Sequence, residues 1–166
     1  MSFAGKITKN RVISEDQNMD LITPQSLKVE HEELHGELAK ATNAGGETGE
    51  AARVVAKALH PHFMKEEEYA LPPLGLLPAL ALGKVSADMQ AAVDMTNKLW
   101  ADLGHMLLEH KEIVEALKAL TEAAKREGKD EFVHFAEKLT LHAKTEEDVL
   151  YPASILVGEY LRLRLR

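Results

Sequence analysis

The sequence predicts an all-α protein, an up-down-up-down four-helix bundle with a di-metal site in its core. Three observations point there. Leu, Ala, Glu and Lys dominate the 166 residues while Phe, Trp and Tyr make up only 5%, a balance that favours helix over strand. Apolar residues recur at helical spacing in segments separated by Gly and Pro. Finally, the chain repeats itself. His62-Phe63-Met64-Lys65-Glu66-Glu67-Glu68 has a near copy in His142-Ala143-Lys144-Thr145-Glu146-Glu147-Asp148. Each copy sets a histidine and a glutamate four residues apart, which on an α-helix share one face. Each runs on to a proline, Pro72 or Pro152, and each follows a Glu-His pair, Glu30-His31 or Glu109-His110. The halves are offset by 79 to 80 residues, and Leu34, Leu38 and Leu59 fall opposite Ile113, Leu117 and Leu139.

Residues 1–22 mix Lys6, Lys9 and Arg11 with Ile7, Val12 and Ile13 without clean periodicity, and read as an N-terminal arm. The bundle is assigned to residues 23–158. Thr23-Pro24 marks its start, a capping hydroxyl followed by proline at the first helical position. Leu27, His31, Leu34 and Leu38 follow on one face, and Gly45-Gly46 ends the helix. The second helix runs from about Thr48 to Leu71, with Val55, Leu59, His62, Glu66 and Tyr69 in line. Leu71 to Gly83 holds three prolines and two glycines. It is too broken for a membrane span and reads as a hydrophobic plug over one end of the bundle. Ser86 is placed to cap a third helix reaching Glu127, with Gly104 as a candidate break. Gly128 is a stop signal and Asp130 a start for the fourth helix. Its face carries Phe132, Phe135, Leu139, His142, Glu146 and Val149, and Pro152 is expected to end or bend it. The tail, 159–166, alternates Leu with Arg. An edge strand, a helix end and a docking tail are all open, with a solvated terminus the default.

Formal net charge is −7 and no long basic block occurs, which argues against nucleic acid as a partner. The absence of cysteine excludes disulfides, thiolate metal sites and Fe–S clusters. Neither a signal-peptide core nor a bilayer-length apolar run is present, so a cytoplasmic location is the expectation. Oligomeric state is not legible.

In such a bundle His31, His62, His110 and His142 converge on one axis, joined by Glu66 and Glu146. A buried glutamate is costly unless paired, and neither has a basic residue one turn away on its stripe. A bound cation resolves this. Imidazole plus carboxylate suits iron, manganese or zinc rather than calcium or magnesium. The twofold repeat suggests two ions, each taking two histidines, with both glutamates bridging and positions left open.

At these residues the sequence resembles the hemerythrin-like HHE cation-binding family, over nearly all of residues 24–152. The resemblance implies two non-haem iron ions, oxo- or hydroxo-bridged. It also implies a small diatomic ligand or peroxide as the partner: O2 or NO binding, sensing, or iron and oxidant handling. A metal- and O2-binding role is expected rather than a dedicated enzymatic one. Oxygen-carrying hemerythrins use five histidines, two of them four apart on the third helix. Here Met106 and Val114 stand four before and after His110, which argues against simple O2 carriage. Those proteins also place the last carboxylate five residues after its histidine, which here would be Glu147; the repeat and the helical spacing favour Glu146.

Additional or outer contacts are expected from His35, Tyr69 and Glu147. His60 reads as a surface residue, His105 and His134 lie off the main stripe and are not read as ligands, Trp100 and Met106 read as core, and Tyr151 as packing. Two alternatives differ in class. A ferritin-like di-iron carboxylate oxidase would use the Glu-x-x-His motifs Glu32/His35 and Glu131/His134, which are out of register with the repeat. A helical interaction module would hold a purely structural metal.

Overall fold

The computed structural model describes residues 21–166, so the N-terminal arm lies outside the described residues except for Leu21 and Ile22. Helix α1 spans Gln25–Thr42. Helix α2 spans Gly46–Lys65 and widens into a π-helical turn, Glu66–Ala70. A 3-10 stretch, Pro72–Leu76, and a short α3, Leu77–Ala81, form the plug. A 3-10 turn, Ala87–Met89, leads into α4, Gln90–Glu127. Helix α5 spans Asp130–Thr145, passes through a second π turn, Glu146–Leu150, and continues as α6, Tyr151–Arg164. The described residues thus form a four-helix bundle without strands, each half ending its second helix in a π turn.

Several boundaries differ from the sequence expectation. Pro24 precedes α1 rather than opening it, and no side chain caps that helix; the carbonyl of Pro24 takes the first amides instead. Gly104 does not divide α4. Pro152 neither ends nor stops the last helix. Proline lacks an N–H, and both Pro72 and Pro152 stand two residues past a π turn, where the hydrogen-bond ladder is already shifted. After Pro152 the helix resumes to Arg164, so the helix end is the reading of the tail that is present. At Pro72 the chain instead tightens into the 3-10 stretch before the short α3, because a second proline, Pro73, and Gly75 follow. Val149 and Trp100 are exposed, not core. The π turn adds a residue and swings the register outward at Val149.

The core comes in layers. Leu34, Leu38, Val55, Leu59, Phe63, Ile113, Leu117, Leu120, Phe135 and Leu139 fill the end near the α1–α2 and α4–α5 turns. Each fully buried side chain of this kind stabilises by about 1.5–3 kcal/mol. Beyond the histidines lie Tyr69, Leu99, Met106 and Tyr151. The plug closes the far end through Leu76, packed with Met89, Val93, Val157 and Leu161. Gly158 permits α6 to cross α4 closely; a Cβ there would lie 1.8 Å from Thr96 Oγ1.

At the near end Glu127 ties the two turns together. Its carboxylate accepts from the Glu47 and Thr48 amides at the start of α2 and from Thr48 Oγ1, at 2.8, 3.2 and 2.6 Å. Lys129 and these hydrogen bonds hold its carboxyl at about 2. No helix among the described residues is long and apolar enough to cross a membrane.

Candidate metal centre

Four helices each place one histidine at the same level of the axis. His31 comes from α1, His62 from α2, His110 from α4 and His142 from α5, all at most 3% exposed. Glu66 and Glu146 open the two π turns and are 0% and 1% exposed. A π turn puts Leu71 and Tyr151 five residues past the glutamates, each returning its N–H to the glutamate carbonyl.

Two quartets result. His31, His142, Glu66 and Glu146 bring one donor atom each within 4.8 Å of one another, and so do His62, His110, Glu66 and Glu146. Both glutamates belong to both quartets, while the histidines pair across the halves of the sequence rather than within them. The structure brings all six residues together, and the pairing of the histidines emerges only in three dimensions.

Three of the four rings are held from outside by a carboxylate at Nδ1, and the fourth has one nearby. His62 donates to Glu109 at 2.8 Å, His110 to Glu147 at 3.0 Å and His142 to Glu30 at 3.1 Å; Glu67 lies 3.7 Å from His31. These partners repeat with the same offset as the histidines, so the outer ring is twofold as well. A ring that gives its Nδ1 hydrogen outward turns its Nε2 lone pair inward. Glu109 is itself fixed by Lys65 at 2.7 Å.

The electrostatics of the centre favour positive charge. The ion pairs of Glu66 and Glu146 are all with histidines. Burial, then the charge of Glu146, pushes Glu66 up. Burial acts the same way on Glu146, but the adjoining imidazoles of His110, His142 and His31 outweigh it and hold that carboxyl well below the usual range. Burial alone would lower His62 and His142. The adjoining carboxylates more than reverse this and push both up to about 9.

The donor set fits a cation on a further ground. His31 Nε2, His142 Nε2, Glu66 Oε2 and Glu146 Oε1 are buried and make no hydrogen bond. His142 Nε2 and Glu146 Oε1 are 2.9 Å apart without the alignment a hydrogen bond needs. Leaving such a group unsatisfied costs about 1–3 kcal/mol each. In the other quartet His62 Nε2 and His110 Nε2 face each other at 2.8 Å. Two inward lone pairs at that distance repel unless a proton or a metal lies between them.

Of the additional candidates only Glu147 touches a quartet residue. His35 packs edge-on against Phe63 at 4.8 Å between centroids. Tyr69 turns away from the centre and donates to Asp102 at 2.7 Å. The Glu-x-x-His pairs stay outside: Glu32, Glu131 and His134 are exposed and His35 is half-buried. Three contributors were not singled out for the centre by sequence reasoning. Glu30 and Glu109 were visible as the first members of the Glu-His pairs. Tyr151 was read as packing, yet its hydroxyl donates to Glu66 Oε1 and lies 3.3 and 3.2 Å from the Nε2 atoms of His62 and His110. The repeat held the signal, since Leu71 at the matching position sits five residues after Glu66.

A family model described as the hemerythrin HHE cation-binding domain matches residues 23–154. No curated protein and no solved structure matches the chain.

Proposed function

The chain belongs to the hemerythrin HHE cation-binding domain family, and from that premise we propose that it is a non-haem di-iron protein. Its role would be to bind O2 or a related small ligand, NO or peroxide, in O2 binding, sensing or the handling of iron and oxidants. The observation that carries this reading is the quartet of buried, unpartnered donor atoms on His31, His142, Glu66 and Glu146.

In this reading His31 and His142 hold one ion, His62 and His110 hold the other, and Glu66 and Glu146 are shared by both. Iron at such a site supplies one-electron chemistry and coordination positions for a small molecule. The protein's own part is positional. Glu30, Glu109 and Glu147 fix the imidazole rings by their Nδ1 hydrogens. The layer of Leu34, Leu59, Ile113 and Leu139 keeps bulk water from one side of the axis. Manganese and zinc share the donor preferences, but only a redox-active metal responds to O2.

The test is an anaerobic titration. Protein reconstituted with ferrous iron should take up close to two irons per chain, and its visible absorption should change when O2 or NO is added. One firmly held iron per chain overturns the paired site. Two irons with no spectral response to either gas mark the metal as structural and overturn the ligand-binding reading.

A further inference from the structure

The six donors follow the twofold repeat, but one polar group at the centre does not. Tyr151 has Leu71 as its counterpart, so only one quartet receives a hydroxyl. The inward nitrogens of His62 and His110 both have Tyr151 Oη beside them, whereas those of His31 and His142 make no hydrogen bond.

The spacing of the hydroxyl decides its role. Donor atoms about 2.1 Å from one ion lie about 3.0 Å apart at right angles and about 3.4 Å apart at the tetrahedral angle. In the quartet of His62 and His110, the two Nε2 atoms are 2.8 Å apart. His62 Nε2 is 3.1 Å from Glu66 Oε1, and His110 Nε2 is 3.4 Å from Glu146 Oε2. Tyr151 Oη stands at 3.3 and 3.2 Å from the two nitrogens and also contacts Glu66 Oε1. A group that merely hydrogen-bonds a ligand from outside meets one donor atom. Tyr151 Oη meets donors of three residues at once, and stands from the two nitrogens at the spacing that these keep from the glutamates.

We infer that Tyr151 is a metal ligand, completing the site of His62 and His110 through its phenolate oxygen and making the two metal positions inequivalent. On coordination the phenolic O–H bond breaks, an oxygen–metal bond forms, and one proton per chain leaves to solvent; no electron is transferred. Exchange with an outside ligand then falls to the position of His31 and His142, for which the repeat supplies Leu71 in place of a tyrosine. The inference rests on the dinuclear reading above.

The experiment is resonance Raman spectroscopy of the ferric-iron-loaded protein, excited in the visible, with iron content measured on the same sample. The expected result is a set of ring modes of iron-bound phenolate in the wild-type protein, lost in Tyr151→Phe while iron stays near two per chain. Azide should bind one equivalent to the wild type and two to Tyr151→Phe. Because the chain has three tyrosines, Tyr69→Phe and Tyr160→Phe should both keep the modes. They assign the signal by elimination even where Tyr151→Phe fails to fold. Two irons per chain without phenolate modes overturns the inference and leaves the dinuclear reading standing. Phenolate modes that survive Tyr151→Phe, or two azides on the wild type, also overturn it. A chain that takes up no iron overturns both.

Discussion

Five residues past Glu66 the chain has Leu71; five residues past Glu146 it has Tyr151. One residue past His62 it has Phe63, and one past His142 it has Ala143. Phe63 stacks on His31 at 4.3 Å. Ala143 instead lines a cavity of about 590 Å³ between α4 and α5, which runs to Glu147, the partner of His110. Lys65 braces Glu109 behind His62, whereas Glu30 behind His142 is 40% exposed and pairs with that histidine. The two halves therefore agree at all six histidine and glutamate donors and differ at Tyr151 and in what surrounds the donors. Metal chemistry constrains the donors to residue type and spacing. Their surroundings are free to differ, and difference there is how two sites with one donor set acquire separate tasks.

The largest effect should come from the residues in which the halves cannot be told apart. Glu66 and Glu146 each belong to both quartets. Glu66→Ala or Glu146→Ala removes an anionic donor from both and leaves a buried void. Iron content should fall from near two per chain to near zero in either variant, as measured by elemental analysis. If each variant loses a single iron and keeps the other, the glutamates are not shared.

A smaller effect should separate the inner donors from the ring behind them. Removing an outer hydrogen-bond partner of a metal-bound histidine costs about 10–100-fold in metal affinity. Glu109→Ala should reach that range for the His62 side, because Glu109 is 2.8 Å from His62 and held by Lys65. Glu147→Ala should do so for the His110 side, at 3.0 Å. A solvent-facing Glu147 would have been silent, so this variant also tells a partner of His110 from a bystander. Competition with a chelator of known affinity measures both. Full loss of iron in Glu147→Ala, with iron retained in Glu146→Ala, would make Glu147 the donor instead.

Much of this arrangement was legible in the sequence because the repeat includes polar residues. Four histidines and two glutamates at matching offsets fixed the bundle, its axis and the level of the centre. What remained hidden depends on one departure from regular geometry. Straight α-helical spacing carries a face from His142 through Glu146 to Val149, and Val149 is exposed. The π turn delays the next inward position to Tyr151, where a sequence period of 3.6 does not look. The same turn accounts for Pro152, which reads as a stop and stands inside a continuous helical rod. Glu30 and Glu109 were hidden for another reason. Their partners are 112 and 47 residues away on neighbouring helices, and periodicity along one helix says nothing about which ring a rim carboxylate will meet.

The smallest effect should fall on the histidine whose outer partner is loosest. Glu67 lies 3.7 Å from His31 Nδ1, beyond hydrogen-bond reach, and its side chain is 58% exposed. Its counterpart Glu147 is 0.7 Å closer to His110 and 30% exposed. An exposed ion pair contributes about 0.2–1 kcal/mol, so Glu67→Ala should change metal affinity by no more than about fivefold. Glu30, at 3.1 Å but 40% exposed, should fall between Glu67 and Glu147. The order Glu109 and Glu147, then Glu30, then Glu67 follows from distance and exposure alone. It assigns the weaker support to His31 and His142, the pair whose Nε2 atoms have no hydrogen-bond partner. Affinities of the four alanine variants, measured by chelator competition at one pH and salt, check that order. An effect of Glu67→Ala as large as that of Glu147→Ala would mean that His31 draws on Glu67 directly. The outer ring would then be as symmetric as the inner one, and the difference between the two sites would rest on Tyr151 and Leu71 alone.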